Sequence, residues 1–156
     1  MLTTIPTMKF DEFKVGQTLV RGPFRITEEE ILAFARAWDP QWFHTDPARA
    51  ERGPWKGLIA SGWQTCGIAM RLAVTGILDG SETFGSPGLE YLKWLAPVRP
   101  GDSLTLHAEV LDVRRSERKP TLGILRWRWR VENQERVAVL EIVATSLFDL
   151  DPGANG

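Results

Sequence analysis

Hydrophobic and polar residues divide the chain into three blocks of different period. After a lead-in from Lys9, residues 18–26 have the composition of a strand. Ile31, Phe34, Ala35 and Trp38 then recur at three- and four-residue spacing, which predicts a helix with one apolar face. Thr27-Glu28-Glu29-Glu30 ahead of them is a capping box: the Thr27 hydroxyl can accept the Glu30 amide while Glu30 reaches back. Pro40 biases Asp39 away from helical backbone, so the helix should stop there. Asp46-Pro47 begins a second, short helix, with Asp46 as N-cap and Pro47 at the first helical position. Residues 39–45 are thereby left as a loop between two helix ends.

A longer helix is expected over residues 63–78. It has almost no polar face, which predicts cover on most of its sides. Ser61 and Gln64 repeat the capping-box spacing at its start. From there the period drops to two. Leu89, Tyr91, Lys93 and Leu95 fall on one side of a strand, with Glu90, Leu92 and Trp94 on the other. Pro97 and Pro100-Gly101-Asp102 mark a turn. Residues 104–113, 122–131 and 136–148 follow as three long strands joined by short linkers, an antiparallel meander. The expected class is α+β: an antiparallel sheet curled around one buried helix. Residues 1–150 read as a single domain and 151–156 as a disordered tail.

Composition narrows the function rather than the fold. Nineteen Lys and Arg against 20 Asp and Glu leave a net charge of −1, so no global field demands nucleic acid or a membrane. One cysteine, Cys66, excludes an internal disulfide framework, and two histidines beside it make a His/Cys zinc site a poor fit. Residues 1–9 lack the basic flank and apolar core of a signal peptide. Residues 61–78 include Gln64 and Arg71, too polar for a simple spanning helix. A cytoplasmic domain without a metal is the expectation.

Groups able to move protons are scarce, which gives weight to Asp39 and His44, five residues apart in one predicted loop. A carboxylate and an imidazole facing one point can handle a single water together. Asp39 fits equally well as a helix-end residue bonded to local backbone, and His44 as its structural partner. Gly62 is a third element. At a helix start, unpaired N–H groups and the positive dipole end favour developing negative charge, and a glycine lets an oxygen approach closely. It serves tight packing just as readily.

Taken together, Asp39-Pro40-Gln41-Trp42-Phe43-His44-Thr45-Asp46-Pro47 followed by Leu58-Ile59-Ala60-Ser61-Gly62 resembles the MaoC-like dehydratases, the (R)-specific enoyl-CoA hydratases. Gly85-Ser86-Pro87-Gly88, Leu95-Ala96-Pro97-Val98 and Pro100-Gly101-Asp102 also fall where that family has a strand and its turns. The resemblance implies a hot-dog fold, a homodimer, and an acyl-CoA thioester as substrate with no further cofactor. It implies Asp39 and His44 as the catalytic dyad and the Gly62 amide as oxyanion donor. Gln41, Trp42, Phe43, Ser61 and Trp63 are expected to shape the substrate pocket. The chain departs from the family pattern in three places. Gln41-Trp42 replaces Asn-Pro, Ser61 replaces a frequent His, and Met70 stands where studied hydratases have a helix serine.

Two rival readings use the same fold: an acyl-CoA thioesterase, in which a carboxylate activates water against the carbonyl carbon, and an acyl-CoA-binding relative without activity. A third starts from Arg126-Trp127-Arg128-Trp129-Arg130. Basic and aromatic residues together can bind single-stranded nucleic acid, but only from one face. Alternation on a strand separates them, which favours a solvated arginine face over a packed tryptophan face. Cys66 is read as an inert core thiol, His107 has no role, and Lys56 is a surface lysine.

Overall fold

The computed structural model describes residues 7–154. Five strands form one antiparallel sheet: β1 (Thr18–Arg25), β2 (Thr83–Trp94), β3 (Ser103–Arg115), β4 (Leu122–Glu132) and β5 (Ala138–Asp149). Their order is β1-β3-β4-β5-β2. The meander β3-β4-β5 is the expected one. β1 and β2, which come before it in the chain, flank it as the two edges.

Helix α1 spans Glu28–Trp38 behind the Thr27 capping box, and both reciprocal bonds are made. The backbone leaves the helix at Asp39, as Pro40 requires. Ile31 and Ala35 are buried, but Trp38 is 78% exposed, so the apolar face is narrower than its spacing indicated. The expected loop at 39–45 is not wholly irregular: Trp42–Thr45 closes one helical turn, α2. Helix α3 (Pro47–Arg52) starts with the Asp46 side chain accepting from Arg49 N–H.

The central helix α4 (Gly62–Ala73) continues into a wider π-helical turn, Val74–Leu78. Ile68, Ala69, Leu72 and Ala73 face the core formed by Leu104, Leu106, Ala108, Trp127 and other inward residues of the sheet. This is the sheet wrapped on a helix that defines the hot-dog fold. Cover is incomplete, however. Trp63, Met70 and Val74 lie on the exposed face of α4 and its extension. The expected capping box at Ser61 and Gln64 is not formed. Ser61 Oγ accepts from Trp63 N–H at 3.3 Å, and Gln64 Nε2 donates instead to the Glu30 carbonyl at 3.0 Å, tying α4 to α1.

Strand β4 alternates as expected, with Trp127 and Trp129 buried and the arginines outside. Each arginine meets a carboxylate. Arg126 bonds to Glu90, Arg128 to Glu109 at 2.8 Å and Glu141 at 3.7 Å, and Arg130 to Glu132 at 3.2 Å. A cationic stripe by composition is therefore a set of ion pairs. Strand β2 begins six residues before its alternating stretch, because register shifts at Gly85, Gly88 and Leu89 interrupt the period of two. Strand β5 starts at Ala138 rather than at residue 136, where Arg136 takes a left-handed φ of 60° in the preceding turn. Pro152–Ala154 form a short 3₁₀ turn within the expected tail. Residues 1–6, with most of the segment read for a signal peptide, and residues 155–156 lie outside the described residues.

Candidate active site

The end of α1, the turn of α2 and the start of α4 converge on one side chain, Asp39. Its Oδ2 stands 3.3 Å from His44 Nε2. Two neutral donors complete its surroundings: Gln41 Nε2 donates to Oδ1 at 2.8 Å and Ser61 Oγ donates to Oδ2 at 2.7 Å. Burial pushes the carboxyl up, but the bonds from Ser61 and Gln41 and the attraction of His44 outweigh it. Asp39 is held below its ordinary range as a carboxylate.

His44 is buried, and its Nδ1 lies 2.7 Å from the Ile59 carbonyl oxygen. A carbonyl can only accept, so Nδ1 carries a proton and donates to it, and Nε2 is the ring nitrogen left outside that bond. That nitrogen is the one turned towards Asp39. One-turn helix α2 makes this possible by raising His44 off the chain towards the 58–61 segment, where Ile59 N–H bonds back to the Phe43 carbonyl at 3.2 Å.

The dyad opens on a cleft of about 370 Å³. Asp39, Gln41 and His44 line it on the polar side. Gly62 lies at the head of α4, where the first amide has no acceptor within its own helix. Trp55, Trp63 and Trp94 wall the cleft, and Val98 closes it among others. Trp94, at the last position of β2, packs edge-on to Trp63 with ring centres 5.2 Å apart. The cleft thus joins a proton-handling pair, a free helix-start amide and an apolar wall, a combination suited to a carbonyl compound with an apolar arm.

The geometry sorts the expected site residues into two groups. Asp39, Gln41, His44, Gly62 and Trp63 share the cleft. Trp42, Phe43 and Ser61 are not among its lining residues. The Trp42 ring is turned to Gly53 and the Arg49 guanidinium, which sits 4.5 Å from its centre. Phe43 meets the His44 ring edge-on, with centres 4.3 Å apart, and so backs the imidazole. Ser61 is fully buried and acts on Asp39. Trp94 was not anticipated; it is 32 positions from Gly62, and its alternation in β2 carries no sign of a partner there. Burial also raises the Cys66 thiol, against the opposing contact of Trp94, in keeping with an inert cysteine. Among the described residues no three His, Cys, Asp or Glu are grouped to hold a metal, and no helix is long and apolar enough to cross a membrane.

The sequence pattern of the MaoC like domain matches residues 12–125. The chain belongs to the MaoC-like dehydratase family. A solved MaoC-like dehydratase from Rhodospirillum rubrum is 34% identical, with a TM-score of 0.83 over 89% of this chain and 94% of that one. The R-hydratase PhaJ1 from Pseudomonas aeruginosa is 26% identical, with a TM-score of 0.74 over 93% of this chain and 86% of that one. The 3-hydroxyacyl-thioester dehydratase Z of Mycobacterium tuberculosis is 34% identical over 102 residues, 64% of this chain and 66% of its own. The match to the MaoC-like domain includes Asp39, His44, Ser61, Gly62 and Trp94.

Proposed function

We propose that this MaoC-like protein adds water reversibly across a trans-2-enoyl thioester, as an (R)-specific 2-enoyl-CoA hydratase and 3-hydroxyacyl-CoA dehydratase. The observation that carries the reading is the 3.3 Å approach of Asp39 Oδ2 and His44 Nε2 on a cleft that also holds the Gly62 amide. Hydration asks for three actions. The attacking water must lose a proton as its oxygen bonds to the β-carbon, the α-carbon must gain one, and the thioester oxygen must be held as it takes up charge. In this reading one water in the cleft is bonded by both Asp39 and His44, and the pair takes its proton and returns one to the α-carbon from the same side. H and OH are thus added to one face. The Gly62 N–H receives the thioester oxygen. Acid–base work of this kind supplies roughly 10²–10⁴-fold, and one oxyanion donor about 10²–10³-fold.

The reaction needs the thioester and water alone, so CoA enters as part of the substrate. A homodimer is part of the proposal. Edge strand β2 carries exposed Phe84 and Leu89, and α4 with its π-helical extension exposes Trp63, Met70 and Val74, an apolar surface suited to a second copy.

Crotonyl-CoA is the first substrate to offer. The expected result is loss of the conjugated enoyl-thioester absorbance and formation of (R)-3-hydroxybutyryl-CoA, both absent in Asp39→Asn. Release of free CoA would replace this reading with a thioesterase. No turnover across a panel of longer and branched enoyl-CoAs would overturn it in favour of a binding protein.

A further inference from the structure

Ser61 touches neither the cleft nor solvent, yet it is bonded to both halves of the site. Its single hydroxyl proton goes to Asp39 Oδ2 at 2.7 Å, and its oxygen accepts the Trp63 amide at 3.3 Å. A hydroxyl has one proton to give and lone pairs to receive with, so the two bonds do not compete. Accepting from Trp63 is what leaves the proton free for the carboxylate. Ser61 is 0% exposed, so its hydroxyl is itself out of reach of bulk water.

We propose that Ser61 is a positioning residue: through one hydroxyl it fixes the Asp39 carboxylate against His44 Nε2 and ties that carboxylate to the first turn of α4. The inference rests on the proposed hydratase reading for its kinetic consequences, though not for the bond itself. Asp39 is the last residue of the α1 exit, with Pro40 behind it and no intrahelical constraint on its side chain. Gln41 holds Oδ1 from the α2 side, and Ser61 holds Oδ2 from the α4 side. His44 is the charged or titrating group that acts on Asp39; Gln41 and Ser61 are neutral. With both oxygens already engaged, the carboxylate cannot rotate away from the imidazole without breaking a bond to one of them. The same hydroxyl keeps the Gly62 amide at a set place relative to the dyad, because Gly62 lies between Ser61 and Trp63 in the helix start.

The test is Ser61→Ala, with Ser61→Thr as the conservative variant that retains the hydroxyl. Two readouts are taken. The first is the carboxyl titration of Asp39 followed by carbon NMR, assigned with Asp39→Asn, which needs no turnover. Removing a donor to the charged form should move that titration to higher pH in Ser61→Ala, with Ser61→Thr restoring it. The second is the pH profile of crotonyl-CoA hydration. Its acid limb should move in the same direction, with kcat falling roughly ten- to hundredfold and KM little changed. An Asp39 titration identical in wild type and Ser61→Ala overturns the inference, whatever the kinetics show. A shifted titration in a protein that hydrates no enoyl-CoA supports Ser61 as the holder of Asp39 and sinks the hydratase reading alone. If Ser61→Ala does not fold, Ser61→Cys, which keeps the side-chain shape in a slightly larger form with a far weaker donor, is put through the same titration and judged by the same result.

Discussion

The Trp94 indole lies against the backbone of Gly62 so closely that a Cβ at that position would sit 2.4 Å from Nε1 and Cε2 of the ring. Glycine is therefore required by a side chain 32 positions away, in addition to any service to an oxyanion. Gly62→Ala should push the indole outwards, which Trp94 can accommodate in part because it is 48% exposed. Overpacking of this kind costs about 1–3 kcal/mol. Urea denaturation should show that loss, and Trp94→Leu in the same chain should recover much of it. Additive effects of the two changes would mean that the ring and the glycine are not in contact in solution.

Asp39→Asn and His44→Gln should each still fold cooperatively while lowering kcat for enoyl-CoA hydration by about 10²–10⁴-fold. Because the pair handles one water as a unit, the double variant should be scarcely slower than either single one. Steady-state kinetics of the three proteins decide this. Multiplicative losses would assign the two residues to separate steps.

The proton affinity of Asp39 also sets a pH dependence of stability. Its carboxyl lies below the ordinary value in the folded protein and returns to it on unfolding. The stabilisation is therefore complete above the ordinary carboxylate range and is lost as the pH falls through the folded value. Asp39→Asn lacks this contribution. The stability gap between wild type and Asp39→Asn should narrow as denaturant titrations are carried from about pH 6 to about pH 3. A gap that stays constant or widens on acidification would contradict the sign.

Trp127 anchors the sheet side of the core. It is fully buried, meets Phe13 edge-on at 5.9 Å and Trp129 at 5.3 Å, and its Nε1 donates to Ser146 at 3.2 Å. Trp127→Ala should cost about 3–5 kcal/mol, and Trp127→Phe less, since only part of the volume and one buried hydrogen bond are lost. Calorimetry of both variants gives the comparison.

Local chemistry along the chain is readable: the Thr27 box, the stop before Pro40, the Asp46 cap and the alternation of arginine and tryptophan in β4 all act within a few residues. So is the grouping of Asp39, His44 and Gly62, through the resemblance of the segment that holds them. What could not be read was which distant partner wins a side chain. Gln64 has capping spacing, yet the Glu30 carbonyl across the α1–α4 contact claims its amide. Trp42 is expected in the pocket, yet its ring packs against Gly53 and the Arg49 guanidinium. Ser61 has the polarity of a pocket residue, yet its buried hydroxyl goes to Asp39. In each case the sequence states what a side chain can do, and packing chooses among the partners.

Strand β4 also carries protection against its own mispairing. A slip by one residue would turn Trp127 and Trp129 out to water and drive Arg126, Arg128 and Arg130 into the apolar layer. A slip by two would restore the faces but separate Arg126 and Arg128 from their carboxylates on β2, β3 and β5. The tryptophans thus reject odd errors of alignment, and the ion pairs act as the finer key against even ones.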